Sequence, residues 1–155
     1  MRKQLNKSEI IELNNKILKF FSIQNFFGKR DNVALEEIDG IKFIKKENSP
    51  VFFYNDNRIL PALKLILEKN ILKEITVDAG AIKFVANGAD VMRPGIKKID
   101  PAIAKNEAIV IREEAHNKPL AVGIALFSGV DMQNEKSGRV IHTIHYIGDK
   151  IWKAG

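Results

Sequence analysis

The segment that most constrains how this chain can fold runs from Val77 to Ile96: Val-Asp-Ala-Gly-Ala-Ile-Lys-Phe-Val-Ala-Asn-Gly-Ala-Asp-Val-Met-Arg-Pro-Gly-Ile. Asp78 is placed to cap a helix over Ala79 to Asn87, because its short side chain can accept from the unsatisfied N–H groups of a first turn. The small pair Gly80-Ala81 lets that turn approach another backbone closely, and Gly88 supplies the left-handed residue on which such a helix ends. Pro94-Gly95 then makes a tight turn whose glycine can offer a backbone N–H to an anion. Arg93, Lys97 and Lys98 place fixed positive charge around it.

On the C-terminal side of this segment the pattern is of short strands separated by Gly, Pro and Asn. Glu107 to Arg112, Leu120 to Phe127 (interrupted by Gly123) and Val140 to Ile147 are predicted strands, with a turn at His116-Asn117-Lys118-Pro119. Short strands with regular turn signals and one short helix are the pattern of a small closed sheet.

The first 73 residues have a different rhythm. Asn6-Lys7-Ser8-Glu9 fits a capping box, after which Ile10, Leu13, Ile17 and Phe20 recur at helical spacing until Gly28. From Val33 the period shifts toward two, and Asp39-Gly40 predicts a hairpin returning through Ile41 to Lys45. Val51 to Tyr54 reads as a third strand. Asn55-Asp56-Asn57 suits a turn and the cap of a helix over Ile59 to Lys69, with Pro61 in its first turn. The expected organisation is therefore α+β, with an α+β unit over 1-73 and a β-rich domain over 74-155.

Composition narrows the chemistry. The 155 residues contain no cysteine, which excludes disulfides and thiolate zinc sites, and only three histidines. His142 and His145 are an odd number apart in a predicted strand and so face opposite ways, which argues against a shared metal. Glu113 and Glu114 stand at a strand end with no nucleophile or oxyanion donors nearby, and neither phosphate-binding glycine motif is present. No apolar run reaches the roughly 18 residues of a membrane span. The expectation is a cytoplasmic, non-enzymatic protein needing no cofactor or metal, with no membrane partner. The net charge of +6 favours an anionic partner. Residues 1-73 hold 14 Lys+Arg against 9 Asp+Glu and residues 74-155 hold 11 against 10. That division puts most of the electrostatic affinity in the first part.

The Val77 to Ile96 segment resembles the signature of the PUA domain, an RNA-binding fold. Pro119-Leu120-Ala121-Val122-Gly123-Ile124-Ala125 is similar to a later strand of that family, and Gly138 to Trp152 to its closing strand and tail. With an α+β unit in front, the whole chain resembles the malignant T-cell-amplified sequence and ligatin translation-factor family and its archaeal relatives, which pair a pre-PUA unit with a PUA domain. The resemblance implies a C-terminal β-pseudobarrel whose RNA-facing surface comprises Gly80 to Asn87 and Asp90 to Ile96. The candidate contacts are Gly80, Ala81, Lys83, Phe84, Asn87, Gly88, Ala89, Arg93, Pro94, Gly95, Lys97 and Lys98. The implied partners are structured RNA, either tRNA or ribosomal RNA, the small ribosomal subunit, or a separate translation-factor chain.

Other readings of the same residues remain open at this point. Phe84 and Val85 fit core packing ahead of base stacking, which leaves Lys83 as the better RNA candidate. Arg93, Lys97 and Lys98 serve equally as a solvated face or a phosphate site, and Lys29, Arg30, Lys42, Lys45 and Lys46 fit ordinary surface charge. Phe26, Phe27, Phe52 and Phe53 could form an exposed patch, which would make the chain a protein-interaction adaptor. A further alternative is an accessory RNA-binding subunit of an RNA-modification complex.

Overall fold

The structure, a computed structural model, describes residues 1–154. Packing divides the chain into two compact units, Met1–Ala62 and Leu63–Lys153. The sequence expectation draws the boundary at 73/74, whereas packing assigns the intervening stretch to the second unit.

The first unit is a five-stranded antiparallel meander in the order β1-β2-β3-β4-β5, carrying one helix. Its elements are β1 (Arg2–Gln4), α1 (Lys7–Phe21), β2 (Val33–Ile38), β3 (Ile41–Lys46), β4 (Ser49–Asn55) and β5 (Arg58–Pro61). The predicted capping box forms at α1: Asn6 Oδ1 accepts from Glu9 N–H at 2.9 Å, and Glu9 Oε1 accepts from Asn6 N–H at 3.0 Å. The helix ends at Phe21, well before Gly28, because Ser22 takes a left-handed φ of 58° and donates its N–H to Leu18 O.

The hairpins have one construction. Asp39-Gly40, Glu47-Asn48 and Asp56-Asn57 all have both residues at positive φ, the two-residue turn whose twist matches antiparallel strands. The third of these corrects the start of the helix expected over Ile59 to Lys69, which forms over Leu63–Glu68 only. Asp56-Asn57 turns β4 back on itself, so Arg58–Pro61 is strand β5, and Pro61 ends that strand instead of opening a helix.

Phe27, Phe52 and Phe53 are buried, and Phe26 packs its ring 5.1 Å from Phe52 and 4.8 Å from Phe27. Phe27, Phe52 and Phe53 are core and the half-buried Phe26 packs onto them, so the four do not form the exposed aromatic patch expected of them. Asn14 locks the loop beyond α1 onto the helix: its side-chain amide donates to Phe27 O and accepts from Phe27 N–H, both at 2.9 Å.

The second unit contains α2 (Leu63–Glu68), β6 (Lys73–Val77), α3 (Ala79–Val85), β7 (Val91–Met92), a 3-10 turn (Arg93–Gly95) and β8 (Ile96–Ile99). It continues with β9 (Ala108–Glu113), β10 (Pro119–Ala125), α4 (Gly129–Asn134), β11 (Arg139–Tyr146) and α5 (Lys150–Lys153). Its sheet runs β7-β11-β10-β9-β6-β8, antiparallel except for the β6–β9 pair, and curls around Ile75, Val77, Val85, Val91, Ile109, Ile111, Met132 and Ile141. This is the pseudobarrel expected after Ile75.

His142 and His145 face opposite ways as predicted, His142 exposed and His145 fully buried. His145 Nε2 accepts from Leu63 N–H at 3.0 Å, so its proton is on Nδ1, donated to the Asp149 carboxylate at 2.9 Å. The neutral ring thereby ties the start of α2 to the end of β11.

Candidate nucleic-acid interface

Two contacts hold α3 in place and open a groove beside it. Asp78 caps the helix by accepting from Ala81 N–H at 3.0 Å, and its own N–H donates to Gly95 O at 2.9 Å, which pins the first turn of α3 to the 3-10 turn. A Cβ on Gly95 would stand 3.1 Å from that of Ala81, so a larger residue would force the turn and the helix apart. At the other end, Gly88 N–H donates to Val85 O and Ala89 N–H to Phe84 O, the paired bonds of a Schellman cap, with Gly88 at φ +87°. A Cβ there would lie 2.6 Å from the Tyr146 ring, so glycine is required for space as well as conformation.

Between α3 and the β7-to-β8 turn lies a groove of about 690 Å³. Buried Val85 and Val91 form its base with Ala81 and Gly95, and Phe84 and Met92 stand at its rim with 57% and 51% of their surface exposed. Two large apolar side chains left in water on either side of an apolar trough form a surface able to hold a flat, uncharged group. Phe84 is thus available for stacking, while its neighbour Val85 is core.

Asp90 marks the polar end. Its carboxylate accepts from Thr143 N–H at 2.8 Å and from Arg139 at 2.9 Å, and it lies 3.0 Å from His142 Nδ1. Burial pushes its pKa up, but the Thr143 N–H, the Arg139 guanidinium and His142 outweigh that and hold it below the usual carboxylate range.

The candidate residues are distributed unevenly around this geometry. Gly80, Ala81, Phe84, Ala89, Pro94 and Gly95 line the groove. Lys83 is exposed on α3 with Nζ 5.2 Å from the Phe84 ring centroid, and the Asn87 amide is engaged with Lys83 O at 2.9 Å. Arg93 turns inward, donating to Met132 O at 2.8 Å and Ile96 O at 3.4 Å. Lys97 and Lys98 are exposed and consecutive on β8, so they point to opposite faces of an edge strand, where lysines also discourage further pairing. Arg139 lines the groove yet has no local sequence signal, because only the β11–β7 pairing brings it there.

In the first unit, Lys45 Nζ is 2.6 Å from Glu36 and Lys46 Nζ 3.6 Å from Asp31, which neutralises part of the expected basic patch. Lys29, Arg30 and Lys42 are exposed. Among the described residues no group of three His, Cys, Asp or Glu side chains could hold a metal ion, and no helix is long and apolar enough to cross a membrane.

Comparison with known proteins fits this geometry. The PUA domain family matches residues 73–147. An uncharacterized protein of Methanocaldococcus jannaschii is 37% identical over 153 residues, covering 96% of this chain and 93% of that one. Translation machinery-associated protein 20 of Saccharomyces cerevisiae is 30% identical, covering 84% and 76%. Malignant T-cell-amplified sequence 1 of Rattus norvegicus is 30% identical, covering 96% and 88%. A hypothetical protein of Pyrococcus horikoshii has the same fold, with a TM-score of 0.85 at 29% identity over 99% of this chain and 98% of that one. The chain, a pre-PUA unit followed by an RNA-binding PUA domain, therefore belongs to the family of malignant T-cell-amplified sequence 1 and translation machinery-associated protein 20.

Proposed function

We propose that this protein is a non-catalytic RNA-binding factor of translation, and that the groove beside α3 receives an unpaired nucleotide of a structured RNA, a tRNA or a ribosomal RNA. One observation carries the reading: an apolar trough inside the PUA domain, rimmed by exposed Phe84 and Met92 and flanked by exposed Lys83. An unpaired base has the flat apolar faces such a trough fits, and a cation at the rim suits the adjoining phosphate. The small ribosomal subunit and a separate translation-factor chain are the larger partners in keeping with the relatives' names. Cytoplasmic action follows from that role.

The discriminating measurement is binding of an RNA hairpin with and without a single-stranded 3′ extension. The extended RNA should bind more tightly, and Phe84→Ala should remove that advantage, at roughly 1–3 kcal/mol per stacked base. Equal affinity of Phe84→Ala and the unaltered protein for the extended RNA would sink the assignment. Arg93→Ala is a poor probe, because Arg93 holds backbone carbonyls of the barrel.

The adaptor reading retains a specific observation of its own, now on different residues. Beside α1 lies a groove of about 710 Å³ lined by Leu5, Ile10, Ile11 and Phe27, with Lys7 and Lys29 also in its lining. Ile11 is more than half exposed there, which suits an apolar partner segment. Pull-down of a defined partner that Ile11→Asp abolishes, with RNA affinity unchanged, would favour it.

A further inference from the structure

The distribution of charge changes once the units are taken as they pack. Met1–Ala62 carries 11 Lys+Arg against 8 Asp+Glu, and Leu63–Lys153 carries 14 against 11, so each unit is +3. The apparent excess of the first part came from Lys64, Lys69 and Lys73 against Glu68, all of which belong to the second unit. Lys73 is paired with Glu107 at 3.1 Å, which leaves the region of α2 as the place where that charge reaches the surface.

There α2 meets α5. Lys64 Nζ lies 4.9 Å from the centroid of the Trp152 ring, which sets α2 beside α5, the helix that carries exposed Lys150 and Lys153. Among the described residues Lys64, Lys150 and Lys153 enter no ion pair. The acid nearest them in sequence forms no ion pair with them: the Asp149 carboxylate is turned inward, accepting from His145 Nδ1 and from the N–H groups of Tyr146 and Trp152. Glu68 is the exposed acid of α2. Leu67 is 52% exposed on the same helix, one turn from Lys64. Cations with no acid partner, beside a partly exposed indole and an apolar side chain, match the sugar–phosphate surface of a nucleic acid.

This face lies beyond the Gly88 end of the groove: Tyr146, the last residue of β11 before α5, packs against Gly88 at the C-terminus of α3, and none of Lys64, Lys150 and Lys153 lines the groove. We infer that the α2–α5 face, with Lys64, Lys150 and Lys153, is a second contact that grips the backbone of the same RNA beyond the Gly88 end of the groove. The inference rests on the RNA-binding reading above but makes a separate demand on it.

The test is the salt dependence of binding to the hairpin with and without its 3′ extension. Lys150→Ala with Lys153→Ala should make the slope of log affinity against log salt shallower by about two for both RNAs, while preference for the extension survives. Lys150→Arg with Lys153→Arg should keep the slope of the unaltered protein, and a melting curve checks that the alanine pair remains folded. An unchanged slope in a folded alanine pair overturns the inference, whether the face is bare or serves an acidic protein. If the extension confers no preference in the unaltered protein but the slope still falls by two, the groove assignment fails and this contact stands. If neither RNA binds the unaltered protein, both are overturned.

Discussion

The two units solve the problem of a small sheet differently, and the difference decides which of them can offer an open apolar site. The first is a meander in which every neighbouring pair of strands is antiparallel, and its aromatic side chains close over one another. The second pairs β6 with β9 in parallel and sends the chain across the barrel through α3, so one end must be covered by a helix. That cover fits tightly only where Gly95 meets Ala81 and Gly88 meets Tyr146. Between those two contacts Phe84 and Met92 are left outside, and the groove is the consequence.

The largest expected effects test whether the units are separate folding units at all. Phe52→Ala removes a fully buried ring from the aromatic cluster and should cost about 3–5 kcal/mol. Hydrogen exchange should show the loss in the amides of β2 to β4 while those of β9 and β10 keep their protection. Ile111→Ala should give the reverse at about 2–5 kcal/mol. Equal loss of protection in both units, for either variant, would show one cooperative structure and break the comparison. Next in size, Gly88→Ala places a side chain at positive φ against Tyr146 and should cost roughly 1–3 kcal/mol, read as a lower unfolding midpoint confined to the second unit.

What the sequence disclosed follows the same division. Caps and turns are local, so Asn6, Asp39-Gly40, Asp78 and Gly88 could all be placed by reading along the chain. The helix expected from Ile59 begins later, at Leu63, for a local reason too. Asn55-Asp56-Asn57 suits a turn and a helix cap alike, and only the pairing of β5 with β4 shows that it serves the turn alone. The groove was half legible. Gly80, Ala81, Phe84 and Gly95 share one segment with the motif, but Arg139 arrives through strand pairing, and the inward turn of Arg93 depends on α4. The charge of each part depends likewise on where the chain is divided, and the division by packing at Ala62 is not marked in the linear sequence.

Acid should affect the two units by different routes. Lowered carboxylates in the first unit are held chiefly by lysines: Glu36 by the part-buried Lys45 and Glu9 by the exposed Lys3. In the second unit Asp90 and Asp149 are lowered against the opposing effect of burial, by backbone N–H groups together with Arg139, His142 or His145. A carboxylate whose pKa is depressed by folding stabilises the fold above its unfolded value, about 3.9 for Asp, and that contribution is lost as pH falls through the folded value. Both units should therefore lose stability below about pH 4. Added salt should shrink the first unit's contribution more than the second's, because exposed ion pairs are screened and backbone hydrogen bonds are not. Asp90→Asn should cost the second unit about 1–3 kcal/mol at neutral pH and flatten its acid limb. Acid limbs that respond identically to salt in both units would contradict this contrast.

The smallest expected effects compare two helix caps of similar chemistry. Asn6 and Asp78 each accept an N–H of the third helical residue at about 3 Å, and replacing either by alanine should cost about 1 kcal/mol. Their consequences should nevertheless diverge. Asn6 serves α1, which belongs to the other unit from the groove, so Asn6→Ala should leave RNA affinity unchanged. Asp78 stands where α3 is tied to the 3-10 turn through Gly95 O, and it lines the groove itself. Loss of its cap frees the wall on which Phe84 is mounted, so Asp78→Ala should weaken binding of the extended hairpin more than that of the plain one. If the two variants lose similar stability and neither alters discrimination between the hairpins, the rigidity of α3 is irrelevant to recognition, and the groove's shape alone must account for it.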